Sequence, residues 1–192
     1  VIALISLGRG VENFIFSEFE LLGASRLSVS SSPPVADSRT RIEPLTSADV
    51  QALGDNTVAP HVSQVGAAYN VVVKVSYQGE VVVTTARGYS PNLADMLSWD
   101  VKLGSFFTPQ QDADRELVVL LGLDVVDDLF GNEDVNPLGA QVRLDGQVFT
   151  VIGVMDSRGS AFGNDNAAVI VPLSVAQTRL DTARVGSSFG VS

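Results

Sequence analysis

The chain has 192 residues, 45% of them apolar and 18% charged, with a formal charge of −10 and a pI near 4.4. This is a globular composition with enough core for one large domain or two small ones, and its twelve Lys and Arg form no basic stripe, which excludes nucleic acid and anionic membrane surfaces as partners. With no cysteine and a single histidine, the sequence also excludes zinc ribbons, iron–sulfur clusters, thiol nucleophiles and disulfides, and it completes neither a histidine metal triad nor a Ser-His-Asp set.

In chain order, Leu4, Leu7, Val11, Phe14, Leu21 and Leu22 recur at three- and four-residue spacing, with Glu12, Asn13, Ser17 and Glu20 on the other side. Glu18 is the one exception to the seam. The pattern predicts a helix of about six turns closed by Gly23. "RLSVS" (Arg26 to Ser30) alternates like a short strand, and "SSPPVADSRTR" is a Pro/Ser linker. "TSADVQAL" places a Ser or Thr cap ahead of an acidic first turn and predicts a short helix.

Within "YNVVVKVSYQGEVVVTTARGY", two β-branched runs meet at Tyr77-Gln78-Gly79-Glu80, which predicts a hairpin. "SPNLADMLSW" predicts a helix with Pro91 at its start, "RELVVLLG" a buried strand, and "LDVVDDLFG" a helix stopped at Gly131. The order from Thr46 to Gly131 suits an α+β sandwich of the ferredoxin-like kind, with helices on one face of a mixed sheet. Further on, Asp145-Gly146 sits between "QVRL" and "QVFTVIGVM", a two-residue hairpin signal of the type I′ class. "GSAFGNDNA" is a loop, "AVIVPL" a strand ended by Pro172, and "SVAQTRL" a last helix with Ser174 as its N-cap.

Candidate chemistry is sparse. "GSSFG" (Gly186 to Gly190) matches the nucleophile-elbow pattern around Ser188, but it needs a strand before it, a helix after it, and acid and histidine partners downstream. The only histidine, His61, lies far upstream, so the tail reads as a flexible exit segment and His61 as a surface or hydrogen-bonded strand residue. The acidic pieces "DVVDDLFGNEDVN" and "GNDNA" do not fit a calcium loop and read as a solvated helix face and a loop. "GRGVEN" lacks the third glycine of a dinucleotide loop, and no phosphate-cradling motif occurs elsewhere. Trp99, Phe106 and Phe107 suggest either a ligand-stacking patch or, preferably, a cover over the end of a sheet. These readings leave no catalytic, cofactor-binding or metal-ligating residue to name.

The stretch "VVLLGLDVVDDLFGNEDVNPLGAQVRLDGQVFTVIGVM", followed at a distance by "VIVPLSVAQTRL", resembles the extracytoplasmic (periplasmic core) domain of MacB-type, FtsX-like ABC transporter permeases. Leu121-Gly122, Leu129-Phe130-Gly131, Pro137-Leu138-Gly139, Val151-Ile152-Gly153-Val154 and Val171-Pro172-Leu173 carry the likeness. "RGYSPNLADMLSWDVKLGSFFT" and "LISLGRGVENFIFSEFELLGASRLSV" extend it over nearly the whole chain. The resemblance implies an α+β architecture. Residues 1–23 would be a stalk helix leaving the first transmembrane helix, "VIALISLGRG" being its outer end. Residues 37–136 would be a ferredoxin-like, porter-type subdomain, and residues 24–36 and 137–185 a smaller, membrane-proximal β-rich one. Residues 186–192 would lead back to the second transmembrane helix. It also implies a membrane protein whose extracytoplasmic, non-catalytic domain passes on motion driven by ATP hydrolysis elsewhere. Its partners would be a second permease copy, cytoplasmic nucleotide-binding domains and an adaptor of the membrane-fusion type; it implies no cofactor and no nucleic acid. The competing expectation is a free extracytoplasmic module that binds a lipid, peptide or glycan.

Overall fold

A computed structural model describes residues 27–30, 45–55, 57–132, 134–157, 165–180 and 188–191, and the fold is given for these. The expected stalk helix over 1–23 and the Pro/Ser linker lie outside them. In order, the elements are β1 (Leu27–Ser30), α1 (Ser47–Leu53), β2 (Val65–Tyr77), β3 (Glu80–Tyr89), α2 (Leu93–Met96), β4 (Val101–Gly104) and α3 (Pro109–Ala113). Next come β5 (Val118–Leu121), α4 (Leu123–Phe130), β6 (Gln141–Leu144), β7 (Gln147–Met155), a 3-10 turn (Asp165–Ala167) and β8 (Ala168–Pro172). The last are α5 (Leu173–Val175), which continues as a π-helical turn (Ala176–Leu180), and β9 (Ser188–Val191).

The local signals explain most boundaries. Both hairpins turn on two residues with positive φ, Gln78-Gly79 (48° and 103°) and Asp145-Gly146 (46° and 87°), the type I′ geometry whose twist matches the strands it joins. Thr46 begins α1 with a reciprocal capping box: its main-chain N–H donates to Asp49 Oδ2 at 2.6 Å, and its hydroxyl accepts from the Asp49 N–H at 3.4 Å. Gly131 ends α4 in the left-handed conformation, φ 79°.

Two caps differ from expectation. α2 starts at Leu93 behind Asn92 rather than at Pro91, and it lasts one turn because Ser98 turns to φ 48°. Ser174 does not cap the last helix; Pro172 holds that position. The Ser174 hydroxyl instead donates to the Asp112 carbonyl at 2.5 Å, and the Ser174 N–H donates to Asp112 Oδ1 at 3.0 Å, tying α5 to α3.

The strand pairings build a mixed α/β structure of unexpected closure. The sheet runs β1-β9-β2-β3-β8-β5-β7-β4, with β3 parallel to β8 and β5 parallel to β7. β6 pairs with β7 and, through Val75–Leu144 and Ser76–Arg143, with β2. The pairings therefore close a ring of six strands, β2-β3-β8-β5-β7-β6. The interior holds one core cluster, to which every ring strand contributes: Val73 and Val75 from β2, Ala86 from β3, Val169 from β8, Leu121 from β5, Phe149 from β7 and Leu144 from β6. From α4, Leu123, Val125, Val126 and Leu129 enter the same cluster, each such burial contributing roughly 1.5–3 kcal/mol.

A second cluster lies outside the ring, where Leu93 of α2, Trp99 and Phe107 close over Leu120, Ile170 and Met155. Helices thus pack on both faces of the sheet, where the sequence placed them on one. In the sheet, β8 lies between β3 and β5, and β7 between β5 and β4.

Candidate functional site

An open groove of about 580 Å³ runs beside α2 and the turn from β4 into α3, lined by Pro91, Asn92, Asp95, Phe106, Phe107, Thr108 and Pro109. Its volume falls in the range of small-ligand sites, roughly 300–1,000 Å³. The floor is aromatic: the Phe106 and Phe107 rings stack at 4.2 Å between centroids, 29° apart. Phe107 is only 3% exposed and belongs to the outer core, whereas Phe106 is half-buried and packs against that core from the groove side. One wall is fixed by the capping box of α3, in which the Gln111 N–H donates to Thr108 Oγ1 at 3.2 Å and the Thr108 N–H donates to Gln111 Oε1 at 2.9 Å.

The opposite wall is bonded to the beginning of β2. Asn92 Nδ2 donates to the Val65 carbonyl at 3.0 Å and contacts Met96 Sδ at 3.5 Å, while Ser90 Oγ donates to Asn92 Oδ1 at 2.8 Å. The Ala67 N–H in turn donates to Ser90 Oγ at 3.0 Å, and the Ser90 N–H donates to the Ala67 carbonyl at 2.9 Å. Gly66, between them, lets α2 sit directly on the strand, since a Cβ there would fall 2.5 Å from Leu93 Cδ1. On its other edge this same stretch pairs with β9 (Val65↔Val191, Ala67↔Phe189), and β9 pairs with β1 (Leu27↔Val191). The described segments nearest the two ends of the sequence therefore lie side by side, one hydrogen-bonded step from the groove.

The residues weighed from sequence scatter. Trp99 is core, 4% exposed, with its indole N–H donating to the Asp156 carbonyl at 2.9 Å. His61 is exposed in the turn between α1 and β2, not in a strand. The segment around Ser188 is strand rather than flexible exit, and Ser188 is paired with Ser30, so it stands at the head of a strand and not on a strand-to-helix turn. Asp124, Asp127 and Asp128 form the exposed face of α4, as its spacing suggested. Among the described residues no group of three or more His, Asp or Glu is placed to hold a metal ion. Hydrogen bonds from Thr46 hold the Asp49 carboxyl below its ordinary value, and those from Thr57 do the same for Asp55; both are turn-stabilising groups on the surface. The sequence flagged Phe106 and Phe107 but missed Asn92, whose partner lies 27 residues away.

Comparison with known proteins gives the class first. The fold is shared with the periplasmic region of MacB from Actinobacillus actinomycetemcomitans, at TM-score 0.74 and 18% identity, covering 91% of this chain and 77% of that one. It is shared also with the extracellular domain of the noncanonic ABC-type transporter YknZ from Gram-positive bacteria, at TM-score 0.68 and 21% identity, covering 88% and 83%. Among curated relatives, the macrolide export ATP-binding/permease protein MacB of Rhodopirellula baltica is 31% identical over 182 residues, 89% of this chain and 25% of the relative. The pyoverdine export ATP-binding/permease protein PvdT of Pseudomonas aeruginosa is 26% identical over 182 residues, 94% of this chain and 26% of the relative. The chain thus spans about a quarter of the length of these relatives. The MacB-like periplasmic core domain model matches residues 1–191, and the chain belongs to that family. Such a domain is a part of a transporter permease and is not by itself catalytic. Among the described residues no helix is long and apolar enough to cross a membrane.

Proposed function

We propose that this domain stands on the extracytoplasmic side of the cell membrane as the relay of an ABC permease, passing motion driven by ATP hydrolysis to substrate movement outside the bilayer. One observation carries the reading: β1 is paired with β9, and β9 with the start of β2. A domain inserted between two consecutive membrane helices needs its entry and exit side by side, and here a displacement of that pair would reach the groove through Val65, Asn92 and Ser90. In this reading residues 1–23 form the stalk from the first membrane helix, and Phe14, Ile15, Phe19 and Leu22 bury against the β-layer. The membrane-proximal part is built from both ends of the chain, and the groove belongs to the distal, porter-like part. The partners are a second permease copy, cytoplasmic nucleotide-binding domains and an adaptor of the membrane-fusion type.

The test uses the full-length transporter carrying Asn92→Ala or Phe19→Asp, with protein level and membrane insertion checked first. ATP hydrolysis is measured in proteoliposomes, and export is measured in cells with a macrolide and with pyoverdine, the cargo classes for which the relatives are named. Hydrolysis retained with export lost is the expected result; unchanged export in both variants refutes the relay. The aromatic groove favours a second reading, a free binding module for a lipid, peptide or glycan, in which neither substitution uncouples hydrolysis from anything.

A further inference from the structure

The outer face of the strand ring is covered over only part of its circumference. Trp99, Leu93 and Phe107 close it over β5, β8 and the far half of β7, and the same layer takes in Tyr89 of β3 and Ala68 of β2, but over the hairpin halves of β2 and β3, over β6 and at the start of β7 the same face is bare. Val83 is 70% exposed there, Val72 69%, Val81 48% and Val148 37%. The register makes these a single patch. One row across four strands reads Val81–Ser76–Arg143–Val148, the next sets Val83 opposite Lys74, and the next sets Thr85 opposite Val72. Two cations therefore stand among four exposed valines. Asp145, whose Oδ1 accepts from the Lys74 main-chain N–H at 2.9 Å, is at the margin.

The charge of this patch runs against that of the molecule. The chain carries −10, yet Lys74 and Arg143 are two of only six Lys and Arg among the described residues, the others being Arg87, Lys102, Arg115 and Arg179. Contiguous exposed apolar surface bordered by polar groups marks interaction sites, and potentials of opposite sign select and steer the partner. An isologous contact between two copies through this face would bring the Lys74 and Arg143 of both copies into one interface, so self-association is disfavoured. We infer that the bare face of β2, β3 and β6 is a docking surface for a different protein whose contacting surface has an aliphatic centre rimmed by carboxylates. The inference stands apart from the relay reading, since this face shares no residue with the groove or with the β1–β9 pair.

A photoreactive benzophenone amino acid at Val83 of the full-length protein, in its own cells, tests this against the same probe at Val58, which is 65% exposed but lies in the turn before β2. The Val83 probe should give one discrete adduct, with a cross-linked peptide rich in Asp and Glu, and the Val58 probe none. Adduct yield should fall roughly tenfold in a K74E/R143E double variant and fall with added salt. Melting of that variant should match the parent, because both side chains are exposed; a variant that melts early is replaced by Val72→Ser, which must also lower the yield. No adduct at Val83, an adduct with a second copy of this chain, or a yield indifferent to charge reversal and salt would overturn the inference.

Discussion

Replacing Gly122 with Ala asks whether close packing or backbone conformation requires the glycine at the head of α4. Gly122 has φ −75° and ψ 158°, a conformation open to any residue, so alanine carries no torsional penalty. Space is the constraint. A Cβ would stand 2.1 Å from the Asn166 carbonyl oxygen and 2.8 Å from that of Ala168, and the Gly122 N–H already donates to the same Ala168 oxygen at 2.9 Å. Both obstacles are main chain, so relief requires α4 to retreat or the 165–167 turn to shift, and either movement breaks that bond. Overpacking costs about 1–3 kcal/mol and the lost bond about 1, giving about 2–4 kcal/mol for Gly122→Ala, or roughly 4–16 °C in melting temperature at this chain length.

Gly131, at the other end of α4, has φ 79°, and a Cβ added there would meet nothing within 4 Å; at this position alanine costs about 1–2 kcal/mol through conformation alone. Asparagine separates the two causes. Gly131→Asn should recover most of the loss, because Asn tolerates the left-handed region, whereas Gly122→Asn, being larger, should be worse than Gly122→Ala. Urea denaturation of the four variants followed by circular dichroism provides the comparison. A Gly122→Ala variant within about 0.5 kcal/mol of the parent, or a Gly122→Asn variant more stable than Gly122→Ala, would refute the packing argument.

The remaining predictions concern the latch, the core and acid. Asn92→Ala should raise amide exchange at Ala67 while leaving Val73 protected, at a cost of about 1 kcal/mol; equal protection in parent and variant would mean that the latch does not hold β2. Leu120→Ala, at a fully buried position, should destabilise by about 2–5 kcal/mol, and Val83→Ala by less than about 0.5, both read from denaturant midpoints. Because the folded-state values of Asp49 and Asp55 are lowered, the stability they contribute is present above the ordinary value of 3.8 and is lost as pH falls through their folded values. Acidification below that value should therefore fray α1 and the 55–57 turn before the ring opens, as followed by residue-level NMR; simultaneous loss of α1 and the ring would count against it.

Where a local turn demands a residue type, the sequence announced the structure. Gln78-Gly79 and Asp145-Gly146 fixed two hairpins because both positions need positive φ, and Gly131 marked the end of α4 for the same reason. One local signal went unread: "TPQQ" (Thr108 to Gln111) has the spacing of a capping box with Pro at the first helical position, and it opens α3. The strand state of Ser188–Val191 had no such signature. A Gly/Ser-rich segment reads as loop, and only its pairing with β1 and β2, more than a hundred residues away, makes it a strand. The groove was half legible for a similar reason. Two adjacent aromatics stand out in any sequence, but nothing near Asn92 tells that its amide reaches the Val65 carbonyl.

The hardest feature to read was which apolar residues face water. "VVLL" in β5 and "VVV" in β2 and β3 have nearly the same composition, and both fit a strand buried on two faces. All four residues of β5 are buried, because Val119 and Leu121 point into the ring core while Val118 and Leu120 lie under the outer layer with Trp99. In β2, Val73 is 2% exposed and Val72, its neighbour, 69%. The strand alternates as any strand must, but from Val72 to Ser76 only one of its faces has anything packed on it. A run of valines therefore specifies a strand and leaves open how many layers cover it. That number depends on where α2 and Trp99 fall on the sheet: they cover Tyr89 of β3 and Ala68 of β2 but stop short of the hairpin halves of those strands, leaving Val72 and Val83 with their side chains in solvent.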